Sequence, residues 1–285
     1  MILSFHPCFE ADVQIILADR ALNSSDRALI ETANAIILPQ GCTKDLFQAC
    51  NSSERAIFPG YENRFRYPGK TGQSLLFRDF GCPHPETFLW SSVRQWKETC
   101  PEETELPHEL PFLVKADKAH EAEGVHLVRD NRSLFEALQH MILLEASGLS
   151  GFVTQAFVPC GGNVLRAVVI GKRILTYWKR PGNSGEVITT IGRGATIDHH
   201  WRPDLQKKGE EYTQGLSLKT GINLAAIDWV FPAGVRDPTP LVLEINYFFG
   251  RRGLGGTENF YHLLYRAIRE WLVEKGLDPG AVILI

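Results

Sequence analysis

Long apolar runs are missing from this sequence: no stretch approaches the ~18 uninterrupted apolar residues that a membrane span requires. Charge of one sign is missing too. The 30 Lys and Arg stand against 33 Asp and Glu, for a formal net charge of −3. A nucleic-acid or anionic-membrane partner would call for a basic excess, so neither is expected. The six cysteines, Cys8, Cys42, Cys50, Cys82, Cys100 and Cys160, are widely spread with no CxxC pair. That spacing argues against a zinc or disulfide framework and for free thiols in a reducing, cytoplasmic setting. There is no internal repeat and no low-complexity tract. Met1–Pro7 reads as a first strand rather than a secretory signal, because Pro7, Glu10 and Asp12 interrupt its apolar run at once.

What is present is a 285-residue chain, 44% hydrophobic and 22% charged. This is the composition of a globular protein, with room for about two domains of roughly 100–200 residues. Ile2–Phe5, Gln14–Ala18 and Ala35–Leu38 read as strands. Asp26–Ala33, capped by Ser24 or Ser25, and Thr43–Ala49 read as helices. Such alternation predicts a mostly parallel, Rossmann-like sheet. The polar stretch 51–69 has little periodicity; a helix follows over Lys70–Phe80, and Gly81–Thr87, broken by two prolines, connects to the rest. From there the pattern is α+β. Strands are expected at Phe112–Ala116, Val125–Val128, Phe152–Val158, Val164–Ile170, Arg173–Trp178, Glu186–Ile191, Ala225–Phe231 and Leu241–Ile245. Helices are expected at Ser133–Ala146, with a Ser133/Glu136 capping box, at Asp204–Thr220 and at Glu258–Lys275.

The chemistry concentrates where charge interrupts an apolar strand. Glu244 and Asn246 end the run Leu241–Ile245 at i and i+2, on one face, and Asp228 interrupts Ala225–Val230. If the two strands are antiparallel neighbours, these three converge as hard oxygen ligands suited to Mg²⁺ holding phosphates, with Mn²⁺ as the alternative ion. Lys115 ends one apolar strand, Arg166 interrupts another, and Lys179 and Arg180 end a third. Cations placed so need anions, which a triphosphate with magnesium would supply.

The ordered set Lys70, Gly81-x-Pro83-x-Pro85-x-Thr87, Phe112–Lys115, Gln155–Val158, Arg166-x-Val168–Gly171, Arg180, Asp228 and Glu244-x-Asn246 resembles the ATP-grasp superfamily. It is most similar to the branch of glutathione synthetase and the ligases that add glutamate to a ribosomal protein. The resemblance implies an N-terminal Rossmann-like pre-ATP-grasp domain over 1–85. A small lobe with a flap would follow over 86–157, and a large lobe with the magnesium site over 158–285. It implies that Lys70 and Lys115 contact the nucleotide phosphates and that Gln155, Ala156, Phe157 and Val158 form the hinge along the adenine. Arg166 and Arg180 would lie near the transferred phosphate and the acyl substrate, and Asp228, Glu244 and Asn246 would be the metal ligands. The loop His120–Gly124 would be the mobile flap. Arg193, Arg251 and Arg252 flank the implied acceptor pocket and point to an anionic substrate, an amino acid or peptide carboxylate. The implied activity is an ADP-forming carboxylate–amine (or thiol) ligase acting through an acyl phosphate. A small-molecule kinase and a non-catalytic ATP-binding protein stay open, as does a homo-oligomer. The chain departs from the family in its acidic flap, in Val164 and Thr190, and in Tyr247–Gly253, which replaces a Pro-Gly loop.

Overall fold

The computed structural model describes residues 1–52, 55–100, 106–118, 124–182 and 194–285. The chain opens with β1 (Ile2–Ser4), β2 (Phe9–Glu10), β3 (Val13–Gln14), α1 (Ser24–Thr32), β4 (Ala35–Ile37), α2 (Lys44–Asn51), β5 (Ala56–Phe58), α3 (Glu62–Arg66) and α4 (Gly69–Asp79). Four of these strands form a parallel sheet in the order β3-β1-β4-β5. The strand expected over Gln14–Ala18 stops at Gln14; Ala18 takes a φ of +49°, which a strand cannot hold. The weakly periodic stretch 51–69 holds β5 and α3. The cap of α1 is Asn23, one residue earlier than expected. Its side chain accepts from the Asp26 amide and the Asp26 carboxylate accepts from the Asn23 amide.

Strand alternation sends the residues of this sheet to two cores. Leu3, Phe5 and Ile36 pack with Ile30, Leu46 and Phe47 of the flanking helices. Ile2, Ala35 and Ile37 pack with Phe260, Leu264 and Trp271 of the last helix of the chain. The first section therefore shares a core with the C-terminal one.

The middle section holds β6 (Thr87–Trp90), α5 (Val93–Thr99), β7 (Phe112–Ala116), β8 (Val125–Val128), α6 (Asn131–Ala146) and β9 (Phe152–Ala156). Its antiparallel sheet runs β6-β9-β7-β8. Phe112, Val114 and Ala116 face the helices and bury with Leu134 and Met141. Lys115, between them, is sent to the opposite face. The cap of α6 is Asp130, with Ser133 closing the box, so the expected Ser133/Glu136 box is corrected. Ser133 sits inside the helix, and Glu136 pairs with Arg132 on its surface.

The last section holds β10 (Val164–Ile170), β11 (Arg173–Arg180), β12 (Thr196–Asp198), α7 (Pro203–Thr220), β13 (Leu224–Val230), β14 (Leu241–Asn246), α8 (Thr257–Glu274) and β15 (Ile283–Leu284). Five of these strands make an antiparallel sheet in the order β12-β11-β10-β13-β14. Every residue of β13 is buried, which accounts for its apolar run and makes its one carboxylate conspicuous. β15 returns to pair with β2. The strand expected over Glu186–Ile191 lies outside the described residues. No described helix is long and apolar enough to cross a membrane.

Candidate active site

Register builds the first half of the site. Tyr177 of β11, Arg166 of β10, Asp228 of β13 and Glu244 of β14 are successive cross-strand partners. Cross-strand partners in antiparallel strands share a face. Two residues along, Lys179 and Asn246 share that face as well. Arg166 grips Asp228 through two parallel bonds, Nε to Oδ1 at 2.8 Å and Nη2 to Oδ2 at 2.7 Å. Lys179 Nζ adds a third at 2.7 Å to Oδ2. The Asp228, Lys179 and Arg166 side chains are only 2%, 7% and 11% exposed, so each charge depends on the others. Burial alone would raise the Asp228 carboxyl; the Arg166 and Lys179 charges outweigh it and hold the group well below the usual carboxylate range. Behind the row, Gly253 packs on the Tyr177 ring so closely that a Cβ there would stand 2.2 Å from Cζ.

The second half comes from α4 and β7. The Gln73 side chain both donates to the Ile245 carbonyl and accepts from the Ile245 amide, each at 2.8 Å, which pins α4 to β14 beside Glu244. The Asp117 carboxylate accepts from the Thr71 amide at 2.7 Å, which ties the start of α4 to the end of β7. Gly69 is needed at this junction: its φ is +71° and a Cβ would fall 2.5 Å from the Asp117 carboxylate oxygens. So braced, Lys70 and Lys115 come into electrostatic reach of Glu244. Lys115 Nζ donates to Gln155 Oε1 at 2.6 Å, and Gln155 Nε2 donates to Thr87 Oγ1 at 3.0 Å. Burial pushes the Lys115 ammonium down to about 8; Glu244 opposes that shift and Lys70 adds to it. Glu244 accepts a hydrogen bond from Asn246 Nδ2 at 3.0 Å and closes no ion pair among the described residues.

This geometry can be set beside known proteins. No family model matches the chain. It is 25% identical over 151 residues to a probable alpha-L-glutamate ligase 2 of Hahella chejuensis, covering 52% of this chain and 46% of that protein. It is 24% identical over 172 residues to a probable alpha-L-glutamate ligase of Saccharophagus degradans, covering 60% and 52%. The chain thus spans about half the length of the curated relatives it matches. Among solved structures, it is similar to a RimK domain ATP-grasp protein of Sphaerobacter thermophilus, with TM-score 0.59, 15% identity and coverage of 92% and 97%. The chain has the ATP-grasp fold. The VanG D-Ala:D-Ser ligase of Enterococcus faecalis shares it, with TM-score 0.64, 13% identity and coverage of 88% and 78%.

Within the ATP-grasp fold, half of the residues picked from sequence come together. Asp228, Glu244 and Asn246 line one sheet face, Lys70 and Lys115 are within electrostatic reach of Glu244, and Gln155 bonds Lys115. Ala156 ends β9, and Phe157 and Val158 follow it, half-buried. Arg166 is in the row. Arg180 is not brought to it. Strand parity turns Arg180 to the other face, where it pairs with Asp198 at 2.9 Å and lies 4.6 Å over the Trp201 ring. Lys179 holds the position that sequence reasoning gave to Arg180. Only the register of Arg166 with Tyr177, which the structure supplies, selects between the two. Arg251 is half-buried and turned toward Gln40 and Tyr261, and Arg252 is exposed. Arg193 lies outside the described residues, as do positions 120–123 of the expected flap. The bracing residues Gln73 and Asp117 carry no sequence signal of their own.

The donor set suits a hard divalent cation. Glu244 brings a carboxylate that no described cation occupies, and Asn246 brings an amide. Asp228 adjoins them with both oxygens already accepting. Among the described residues no three His, Cys, Asp or Glu side chains converge.

Proposed function

We propose that this chain is an ATP- and Mg²⁺-dependent ligase that joins a carboxylate to an amine and forms ADP. The observation that carries this reading is that Glu244 lies within electrostatic reach of Lys70 and Lys115 yet closes no ion pair among the described residues, as a carboxylate that holds a metal-bound phosphate would. On this reading residues 1–85 act as a Rossmann-like unit carrying substrate, 86–157 as the small lobe and 158–285 as the large lobe. Lys70 and Lys115 bind the nucleotide phosphates, and Gln155 fixes the Lys115 ammonium by its 2.6 Å bond. Glu244 and Asn246 would hold Mg²⁺, beside Asp228. The ion supplies charge neutralisation at the transferred phosphoryl group. Asp228 fixes Arg166 and Lys179 so that both present positive charge to that group without reorganising. The substrate carboxylate takes the γ-phosphoryl group and ADP leaves. The amine then attacks the acyl carbon and phosphate departs. The kinship with probable glutamate ligases supports an amino acid among the substrates.

The test is a pooled amino-acid and peptide screen for ATP-dependent phosphate release, with mass measurement of the product. One ADP and one phosphate should appear per product, whose mass is the sum of two substrates less one water. A phosphate-bearing product, or no ATP consumption with any acceptor, would contradict the proposal.

Lys115 gives a pH signature. Its charge is present below about 8 and lost above. Binding of a non-hydrolysable ATP analogue should weaken as pH rises through that value, by up to about tenfold per unit. Lys115→Arg, which stays charged, should flatten the profile. Fold stability moves the other way. A lysine with a lowered folded pKa binds fewer protons than the unfolded chain between about 8 and its ordinary value, so its burial penalty is relieved as pH rises. Calorimetric titration with the analogue and denaturant unfolding across the same pH range would separate the two effects.

A further inference from the structure

We propose that the cavity between residues 81–83 and α7, behind the sheet that carries Asp228, binds a small aromatic carboxylate. This site is separate from the one described above and does not depend on the ligase reading.

The cavity holds about 370 Å³, within the roughly 300–1,000 Å³ that small-molecule pockets span. Its walls include Cys82 and Pro83, Tyr212, Gly215, Leu216 and Lys219 of α7, and Trp229 of β13. Most of this surface is apolar. The Trp229 indole N–H already donates to Thr213 Oγ1 at 2.8 Å, and that hydroxyl donates in turn to the Gly209 carbonyl at 2.7 Å. Burial pushes the Cys82 thiol up, so it stays protonated and uncharged at neutral pH. The Tyr212 ring stands edge-on to Trp229, with centroids 6.1 Å apart. Walls of this kind suit a flat apolar ring.

Gly215 shows that the space is kept open. It lies inside the 18-residue helix α7, where only proline is a poorer helix former. Other helical glycines have a steric reason. A Cβ on Gly72 would stand 2.3 Å from the Tyr67 carbonyl carbon, and one on Gly209 would stand 2.3 Å from Leu165 Cδ2. A Cβ on Gly215 meets nothing within 4 Å, so packing does not require glycine there. A larger side chain at this position would take up the cavity that Gly215 lines. Charge then sets the orientation of the occupant. The exposed Lys219 closes no ion pair among the described residues; its Nζ donates to the Phe80 carbonyl at 3.3 Å. Its charge opposes the rise of the Cys82 thiol, which places the ammonium beside that wall. Glu211 lines the cavity about two turns earlier on α7, about 12 Å along the helix axis. An anion is therefore drawn to the Lys219 end and repelled from the other. Trp229 packs with Leu165 and Leu216, whereas Asp228 meets Arg166 on the opposite face, so an occupant leaves the nucleotide end free.

Calorimetric titration of the full chain with 2-naphthoate, and with 2-naphthylmethylamine as the probe of opposite charge, tests this without turnover. The acid should bind at least about fivefold more tightly than the amine. Gly215→Leu, which fills the cavity, should weaken 2-naphthoate about tenfold or more and leave binding of a non-hydrolysable ATP analogue unchanged. Leucine favours the helix, so the variant should melt no earlier than wild type. Where it does melt early, Lys219→Gln on the surface keeps the test open and should weaken the acid about fivefold while sparing the amine. Saturating ATP analogue should leave 2-naphthoate binding as it is. No binding of 2-naphthoate, equal binding of acid and amine, displacement by the nucleotide, or binding unchanged in a well-folded Gly215→Leu chain would overturn the proposal. Gly215-dependent 2-naphthoate binding in a chain that never binds nucleotide would sink the ligase reading and leave this site standing.

Discussion

Asp228→Asn is expected to lower the unfolding free energy by about 3–5 kcal/mol, because it strands two buried cations. Asp228 is the only carboxylate in contact with Arg166 and Lys179 among the described residues, and its side chain is 2% exposed. Asparagine keeps the shape but offers one acceptor oxygen and no charge to three donor contacts. The loss should appear as a lower denaturant midpoint with an unchanged slope. Its pH dependence has a definite sign. The folded Asp228 carboxyl is held below its ordinary value, so its contribution is complete above about pH 4 and is lost only as pH falls below that. Wild type and variant should converge in strong acid. Replacing Asp228, Arg166 and Lys179 together by apolar residues of similar size should recover much of the stability and none of the activity. An Asp228→Asn chain as stable as wild type at neutral pH would mean that the ion cluster is not buried as described.

Glu244→Gln is the complementary case, with a large effect on turnover and a small one on the fold. Its one hydrogen bond among the described residues is to Asn246, on its own strand. The amide keeps an oxygen for that bond, so stability should stay within about 0.5 kcal/mol of wild type. ATP-dependent phosphate release should fall by about 10²–10³-fold or more, because the lost charge belongs to the group that would hold the divalent ion. Phosphate release assayed beside thermal unfolding separates this from general damage. Activity near the wild-type level in a well-folded Glu244→Gln chain would remove Glu244 from the metal site.

How much of this was legible in the sequence depended on range. A charge inside an apolar strand is a local signal, and it located Lys115, Arg166, Asp228 and Glu244. Their convergence is a matter of register, which the sequence expressed only as a condition on two strands being neighbours. Arg180 shows the limit. It and Lys179 are adjacent at a strand end, equally basic, and only the pairing of Arg166 with Tyr177 decides which one faces Asp228. The caps of α1 and α6 differ from the sequence expectation for a related reason: several Ser, Asn and Asp residues cluster before each helix, and backbone geometry selects among them. Gln73 and Asp117 were invisible because their work is long-range, joining α4 to β14 and to β7. The resemblance implies Arg251 beside an acceptor pocket, but its link to Arg64 runs through Gln40, 211 residues away from Arg251, and no local pattern announces it.

On the proposed reading, Lys70, Lys115 and Glu244 together hold a metal-bound triphosphate. Calorimetric titration of the wild-type chain with a non-hydrolysable ATP analogue, with Mg²⁺ and then with chelator, tests it most directly, with Lys115→Met and Glu244→Gln alongside. The expected result is tight binding that needs Mg²⁺, is lost in Lys115→Met, and loses its Mg²⁺ dependence in Glu244→Gln. Binding of equal strength with and without Mg²⁺, untouched by either substitution, would contradict it.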